Sequence, residues 1–164
     1  MIQSLSANTR AFLQTIGISE GTVTSPITKN DGYDVIVTGI DMQPEIFTNY
    51  STHPFSNGRI AKVINSKGLT STASGKFQIL ARYYDFYKKQ LCLPDFSPDS
   101  QDKIALQLIA ECHALDDIDA GDFDSAVYKC RSRWASLPEA GYGQHENNIE
   151  KLRAAYTAAG GLSS

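Results

Sequence analysis

The sequence is poor in the features that mark a stapled or metal-held fold. Its 164 residues include three cysteines, Cys92, Cys112 and Cys130, an odd set with no Cys-x-x-Cys pair. That argues against a disulfide framework and a zinc knuckle, and the three are expected as buried thiols. His53, His113 and His145 are isolated, so a His-x-x-x-His pair is missing and no metal site is expected. No stretch approaches the ~18 apolar residues of a membrane span, and the opening residues lack the order of an export signal, so no stable membrane insertion is expected. Positive charge is not in excess: 15 Lys+Arg stand against 18 Asp+Glu, a net charge of -3. A general phosphate-neutralising surface is thereby excluded, and nucleic acid with it as a partner. Gly-x-Ser-x-Gly, a phosphate loop and Gly-x-Gly-x-x-Gly are all missing, which removes the nucleophile-elbow, P-loop and dinucleotide readings and leaves no cofactor to expect.

What is present suffices for one ordinary core. Hydrophobic residues make up 41% of the chain, and the length suits a single domain over 1–164. Asn8 or Ser6 can cap a first helix with Phe12, Leu13 and Ile16 at helical spacing and Gly21 as its stop. Asn30-Asp31-Gly32 signals a turn before the β-prone run 33–37, placing a small β lobe at roughly 30–70. From Ser74 to Leu91, the positions Phe77, Leu80, Ala81, Tyr84 and Leu91 predict a helix. Ser97-Pro98 opens another with Ile104 and Leu108 inward, Asp122 caps a third, and a last helix runs from about Asn147 to Ala159. Strands followed by helices indicate an α+β fold, a mainly helical lobe beside a small β-sheet lobe.

Carboxylates are the chemistry left. Glu20 falls where the first helix runs out. The negative end of a helix and nearby apolar surface both disfavour ionisation, so this carboxyl can keep its proton near neutrality and serve as a general acid. The alternative is an exposed polar residue at a helix end. Charge is also uneven along the chain. Arg59, Lys62, Lys67, Lys76, Arg82, Lys88 and Lys89 meet only Asp85 over their span, which reads either as a solvated face or as a surface for an anionic polymer.

Ser19-Glu20-Gly21-Thr22, the run 32–37, the run 71–80, Lys89-Gln90-Leu91, Asp95-Phe96-Ser97-Pro98 with Ser100-Gln101-Asp102, and 134–138 through 141–144 together resemble the lambda-type phage endolysins. The similarity spans nearly the whole chain. It implies a lysozyme-like fold with a substrate cleft between the lobes, and lytic transglycosylase action on the bond between N-acetylmuramic acid and N-acetylglucosamine in peptidoglycan. By the same resemblance Glu20 is the catalytic residue, and Tyr33, Asp34, Ser71, Gly75, Gln78 and Tyr142 are candidates for substrate binding. Gly75 would let backbone approach the sugar and Gln78 would offer an amide, with helix-start geometry and an exposed amide as the plainer alternatives. For Tyr142 the alternative is loop packing. The segment from Thr38 to Glu45 is longer than the corresponding turn in the lambda protein, and Thr24-Ser25-Pro26 replaces a more polar stretch.

Three activities fit these residues: a transglycosylase using Glu20 alone, a hydrolytic lysozyme using Glu20 and Asp34, and a non-catalytic glycan-binding module. A phage or prophage endolysin without its own export signal is expected as a monomer in the cytoplasm of the producing bacterial host. A separate holin-like protein would release it to the periplasmic cell wall, where peptidoglycan glycan strands are its partner. Because peptidoglycan carries peptide carboxylates, wall binding is expected to weaken as ionic strength rises, which a pelleting assay across a salt series measures.

Overall fold

The computed structural model describes residues 5–141 and 146–164. Among them the elements run α1 (Ala7–Ser19), β1 (Val35–Ile36), β2 (Glu45–Ile46), β3 (Lys62–Val63), β4 (Thr70–Ser71), α2 (Ala81–Gln90), α3 (Pro98–Glu111), α4 (Leu115–Asp119), α5 (Phe123–Cys130) and α6 (Ile149–Ala158). They form two compact units, Met1–Glu20 with Ala105–Ser164, and Gly21–Ile104. No helix among the described residues is long and apolar enough to cross a membrane.

In the first unit, helix ends follow local chemistry. The Ser6 side chain accepts from the Thr9 N–H at 3.1 Å and starts α1. Asn8, the other candidate cap, instead donates to Ile118 O (3.0 Å) and accepts from the Leu162 N–H (2.9 Å). Asp122 caps α5 through the Ser125 N–H, and Asn148 caps α6 through the Glu150 N–H. Helix α1 packs against α4 and α6, burying Ala11, Phe12 and Ile16 completely. Phe12 meets Phe123 edge-on at 6.1 Å between centroids, and Phe123 packs on Tyr156 at 4.6 Å, aromatic contacts that add to the area they bury.

The second unit carries two separate two-stranded antiparallel sheets. Val35 faces Ile46 in one, and Lys62 faces Ser71 in the other. The β-prone run 33–37 yields only two ladder residues. Its neighbours bond elsewhere, the Val37 N–H to Ala73 O and Asp34 O to the Phe47 N–H, both at 2.9 Å. The long segment after β1 turns at Met42 (φ +56°) and is tied back by Ile40 N–H to Val63 O at 2.7 Å. His53 is fully buried, with its ring 4.8 Å from that of Phe96. Its Nδ1 accepts from the Phe55 N–H (3.2 Å), so the proton sits on Nε2 and is donated to Ile79 O at 2.8 Å. Burial pushes its pKa down, keeping the ring neutral.

Two expectations are corrected. The helix expected from Ser74 begins only at Ala81. Ser74 pairs with Ile36 and with Ile79, and Gly75 and Gln78 have φ of +82° and +53°, values a right-handed helix does not use. The start of α2 is capped from outside, by the Thr72 hydroxyl accepting from the Ala81 N–H at 2.9 Å. The cysteines are all free, but Cys92 is exposed and Cys112 half-buried, leaving Cys130 alone as a buried thiol. Cys92 lies just past α2 in the left-handed region (φ +53°), outside the buried stripe of Tyr84 and Tyr87.

Gly75 is where this unit tolerates no side chain. A Cβ there would lie 2.2 Å from Gln101 Oε1, and the fully buried Gln101 has no room to retreat. Its Oε1 accepts from the Lys76 N–H (3.0 Å) while its Nε2 donates to Tyr33 O (3.1 Å) and Phe96 O (3.0 Å). Gly75→Ala should therefore cost about 2–5 kcal/mol, combining a left-handed backbone penalty with overpacking. Urea denaturation of the variant checks this.

Candidate active site

Glu20 closes α1. Its backbone is still helical (φ -73°, ψ -8°) and its N–H reaches Ile16 O at 2.9 Å, after which Gly21 at φ +77° turns the chain away. The side chain is half-buried. Among the described residues its carboxyl has no hydrogen-bond or ion-pair partner. Burial alone raises its pKa from 4.5 to about 7, because the charged form loses water and gains nothing in exchange.

The residues beside it are firmly held. Ser19 Oγ lies 2.8 Å from Ser136 Oγ. The Asn147 amide donates to Ser19 O (2.9 Å), Ser19 Oγ (3.1 Å) and Ser136 O (3.3 Å), and the Asn147 N–H donates to Ser136 O at 2.8 Å. On the other side of Glu20 in sequence, the buried Thr22 hydroxyl donates to Lys76 O at 2.7 Å. Gly32 (φ +85°) passes so close that a Cβ would lie 2.9 Å from Thr22 Oγ1. Sequence reasoning missed Asn147 and Ser136 as site residues. The only signal was Ser136's place in the 134–138 run that carries the family resemblance.

Of the expected substrate-binding residues, several converge on β1. The Gly75 N–H donates to Val35 O at 2.8 Å, and Gln78 Nε2 reaches Val35 O (3.3 Å) and Gly75 O (3.0 Å), leaving Gln78 Oε1 without a partner among the described residues. The space that Gly75's missing Cβ leaves is filled by Gln101. Tyr33 donates its hydroxyl to Asp102 at 2.7 Å, and its ring faces Lys76 Nζ at 4.6 Å. Burial, then the Asp102 charge and hydrogen bond, push the Tyr33 hydroxyl up, and burial raises Asp102. Asp34 is 3% exposed and turned into its own loop, accepting from Thr28 Oγ1 (2.5 Å) and from the Lys29 N–H (2.9 Å). Both of its oxygens are engaged within the protein rather than offered outward. Ser71 stands apart on β4, where its Oγ accepts from the Ala73 N–H at 3.1 Å. Tyr142 lies outside the described residues. A cavity of about 610 Å³ in the second unit is lined by Phe47, Asn49, Asn57 and Arg59 among others, and by none of the expected site residues.

The Endolysin family model matches residues 10–163. This chain belongs to the endolysin family. It is 58% identical over 155 residues to the endolysin of Escherichia phage P2, covering 94% of each chain. It is 49% identical over 153 residues to the endolysin of Escherichia phage lambda, covering 93% of this chain and 90% of that one. Among solved structures it is similar to bacteriophage lambda lysozyme complexed with a chitohexasaccharide, with a TM-score of 0.89 at 45% identity over 99% of this chain and 100% of the other. A second lambda lysozyme structure gives 0.84 at 44% identity over the same shares. The fold is α+β and lysozyme-like.

The basic span is less charged than its sequence. Arg59 and Lys62 both pair with Glu45, and the buried Lys76 pairs with Asp31 at 2.8 Å. Lys67, Arg82, Lys88 and Lys89 carry no ion pair among the described residues.

Ionising Glu20 costs the fold. Its folded pKa is raised, so the stability it lends is complete below its ordinary 4.5 and lost as pH rises through about 7. Glu20→Gln removes that loss. The variant should gain on the wild type between pH 4 and pH 8.5, by up to roughly 3 kcal/mol since one pKa unit is about 1.4 kcal/mol, less because the side chain is partly exposed. Chemical denaturation of both proteins at the two pH values measures the gap.

Proposed function

We propose that this chain cleaves the β-1,4 bond between N-acetylmuramic acid and N-acetylglucosamine in peptidoglycan as a lytic transglycosylase, leaving 1,6-anhydro-N-acetylmuramic acid ends, and that it serves host cell lysis. Family membership supports the substrate class. Lambda lysozyme, of the same fold, was solved with a chitohexasaccharide, which supports an amino-sugar polymer as the ligand. In this role the partner is the glycan strand of the periplasmic wall, reached from the cytoplasm after a holin-like protein opens the membrane.

The observation that carries the choice of reaction is the contrast between two carboxyls. Glu20 is unpartnered among the described residues and protonated up to about pH 7, as a general acid must be. Asp34, the candidate second carboxylate, is buried and bonded into its own turn. A hydrolase needs that second group to activate water or to attack C1. A transglycosylase does not. Glu20 gives its proton to the glycosidic oxygen as the C1–O bond breaks. The muramyl C6 hydroxyl then closes onto C1 and returns its own proton to the Glu20 carboxylate. One C–O bond is broken and one made, no water is consumed, and Glu20 ends as it began. The nucleophile is already tethered to the sugar it attacks, which replaces a positioned water and its base. A pKa near 7 suits both halves, since the group must be acidic enough to give the proton and basic enough to take one back.

Digestion of purified peptidoglycan in heavy-oxygen water tests the reaction. Anhydro ends one water lighter than hydrolysed ends and free of label are expected. Labelled reducing ends would make the chain a two-carboxylate lysozyme, and failure to clear cell walls at all would make it a binding module. Glu20→Gln should lose about 10²–10⁴ or more in rate, because an amide cannot deliver the proton. Asp34→Asn should keep appreciable catalysis, with a stability loss of about 1–3 kcal/mol for its broken turn bonds. Activity of wild type should fall as pH rises through about 7.

A further inference from the structure

The Glu20 carboxyl has no polar partner among the described residues, so among them no hydrogen bond or ion pair to the carboxyl sets its direction. Direction must come from the backbone that carries it. Ser19 O is one of the last carbonyls of α1, a group with no acceptor role left inside the helix. It is satisfied from 128 positions away by the Asn147 amide at 2.9 Å, which also reaches the Ser19 hydroxyl at 3.1 Å. Ser136 joins the same cluster through both its hydroxyl and its carbonyl. Asn147 is itself immobilised, by its N–H on Ser136 O and by the following residue, Asn148, which caps α6.

We infer that Asn147, seated on Ser136, is a positioning residue for Glu20, clamping the last residue of α1 so that the carboxyl keeps one orientation with no polar bond to it among the described residues. The inference rests on Glu20 as the catalytic acid. The side-chain type follows from the task. An amide donates hydrogen bonds without bringing charge. A lysine or arginine in its place would favour the ionised acid, and an aspartate would set a negative charge against the carbonyl and close to Glu20.

Two variants test this, with Glu20 followed by its side-chain carbon-13 resonance as well as by rate. Asn147→Ala frees the end of α1, so the carboxyl samples orientations more open to water. Its Glu20 titration should move below the wild-type value of about 7, and kcat should fall by up to about 10²-fold with KM little changed, the size of a small misplacement of a catalytic group. Asn147→Ser, uncharged and too short to bridge both Ser19 and Ser136, should move the titration and kcat in the same direction by less. Should the alanine variant fail to fold, the serine variant decides alone by the same downward shift and fall in kcat. A purely structural Asn147 would lower stability and leave the Glu20 titration and the shape of the pH profile as in wild type, which would overturn the inference. Glu20→Gln is assayed alongside: if it stays active, the acid assignment fails, whereas an inactive Glu20→Gln with unshifted Asn147 variants overturns the positioning role only.

Discussion

A carboxyl that holds its proton at neutral pH cannot be held by the bonds that usually fix a carboxylate. Every N–H or cation aimed at it would favour the charged form and pull its pKa back down. Glu20 meets this constraint by being fixed through its neighbours. Ser19 is gripped by Asn147 and Ser136, and Thr22 is bound by its hydroxyl to Lys76 O. Helix α1 ends on Glu20, and Gly21 turns the chain directly after it. Among the described residues, polar groups bond to the chain on either side of the acid and not to the acid itself.

The second unit solves a related difficulty, that of order without long ladders. Its strands have two residues each, too few for backbone pairing to set the shape alone. Side chains do that work by bonding to backbone. Gln101 joins the backbone of Tyr33, Lys76 and Phe96, Asp34 and Thr28 close the 28–32 turn, and Asn65 closes the turn before β4. A buried amide with all its bonds made is costly to disturb in any part, since each loss strands a polar atom. This is how Gly75 comes to be intolerant of a methyl group. The same unit draws Glu45 and Asp31 to the basic side chains of the middle of the chain, so the positive surface an anionic wall would meet is narrower than the sequence count.

Several helix starts, and the stop of α1, were legible in the sequence because their causes are local, whereas α3 and α5 end at Glu111 and Cys130, short of the Leu115 and Leu137-Pro138 that the apolar spacing suggested. Ser6, Ser97, Asp122 and Gly21 act within three or four residues, and each lies where its side chain or its φ is needed. Glu20 was legible too, since its place at a helix end and its apolar flank are both written along one stretch. The hydrophobic spacing from Ser74 to Leu91 misled because Ser74 pairs with Ile36, thirty-eight positions away, and that non-local bridge outweighs the helical preference of the intervening residues. The lodging of Gln101 against Gly75 and of Asn147 against Ser19 could not be read at all. Hydrogen bonds between residues 25 and 128 positions apart leave no periodicity, because an amide's partner is chosen by where folding brings the backbone and not by its place in the chain. The sequence by itself therefore determined that a carboxyl ends the first helix beside apolar residues, while only the tertiary structure decided which amide bonds to the residue before it, since such contacts exist only after folding.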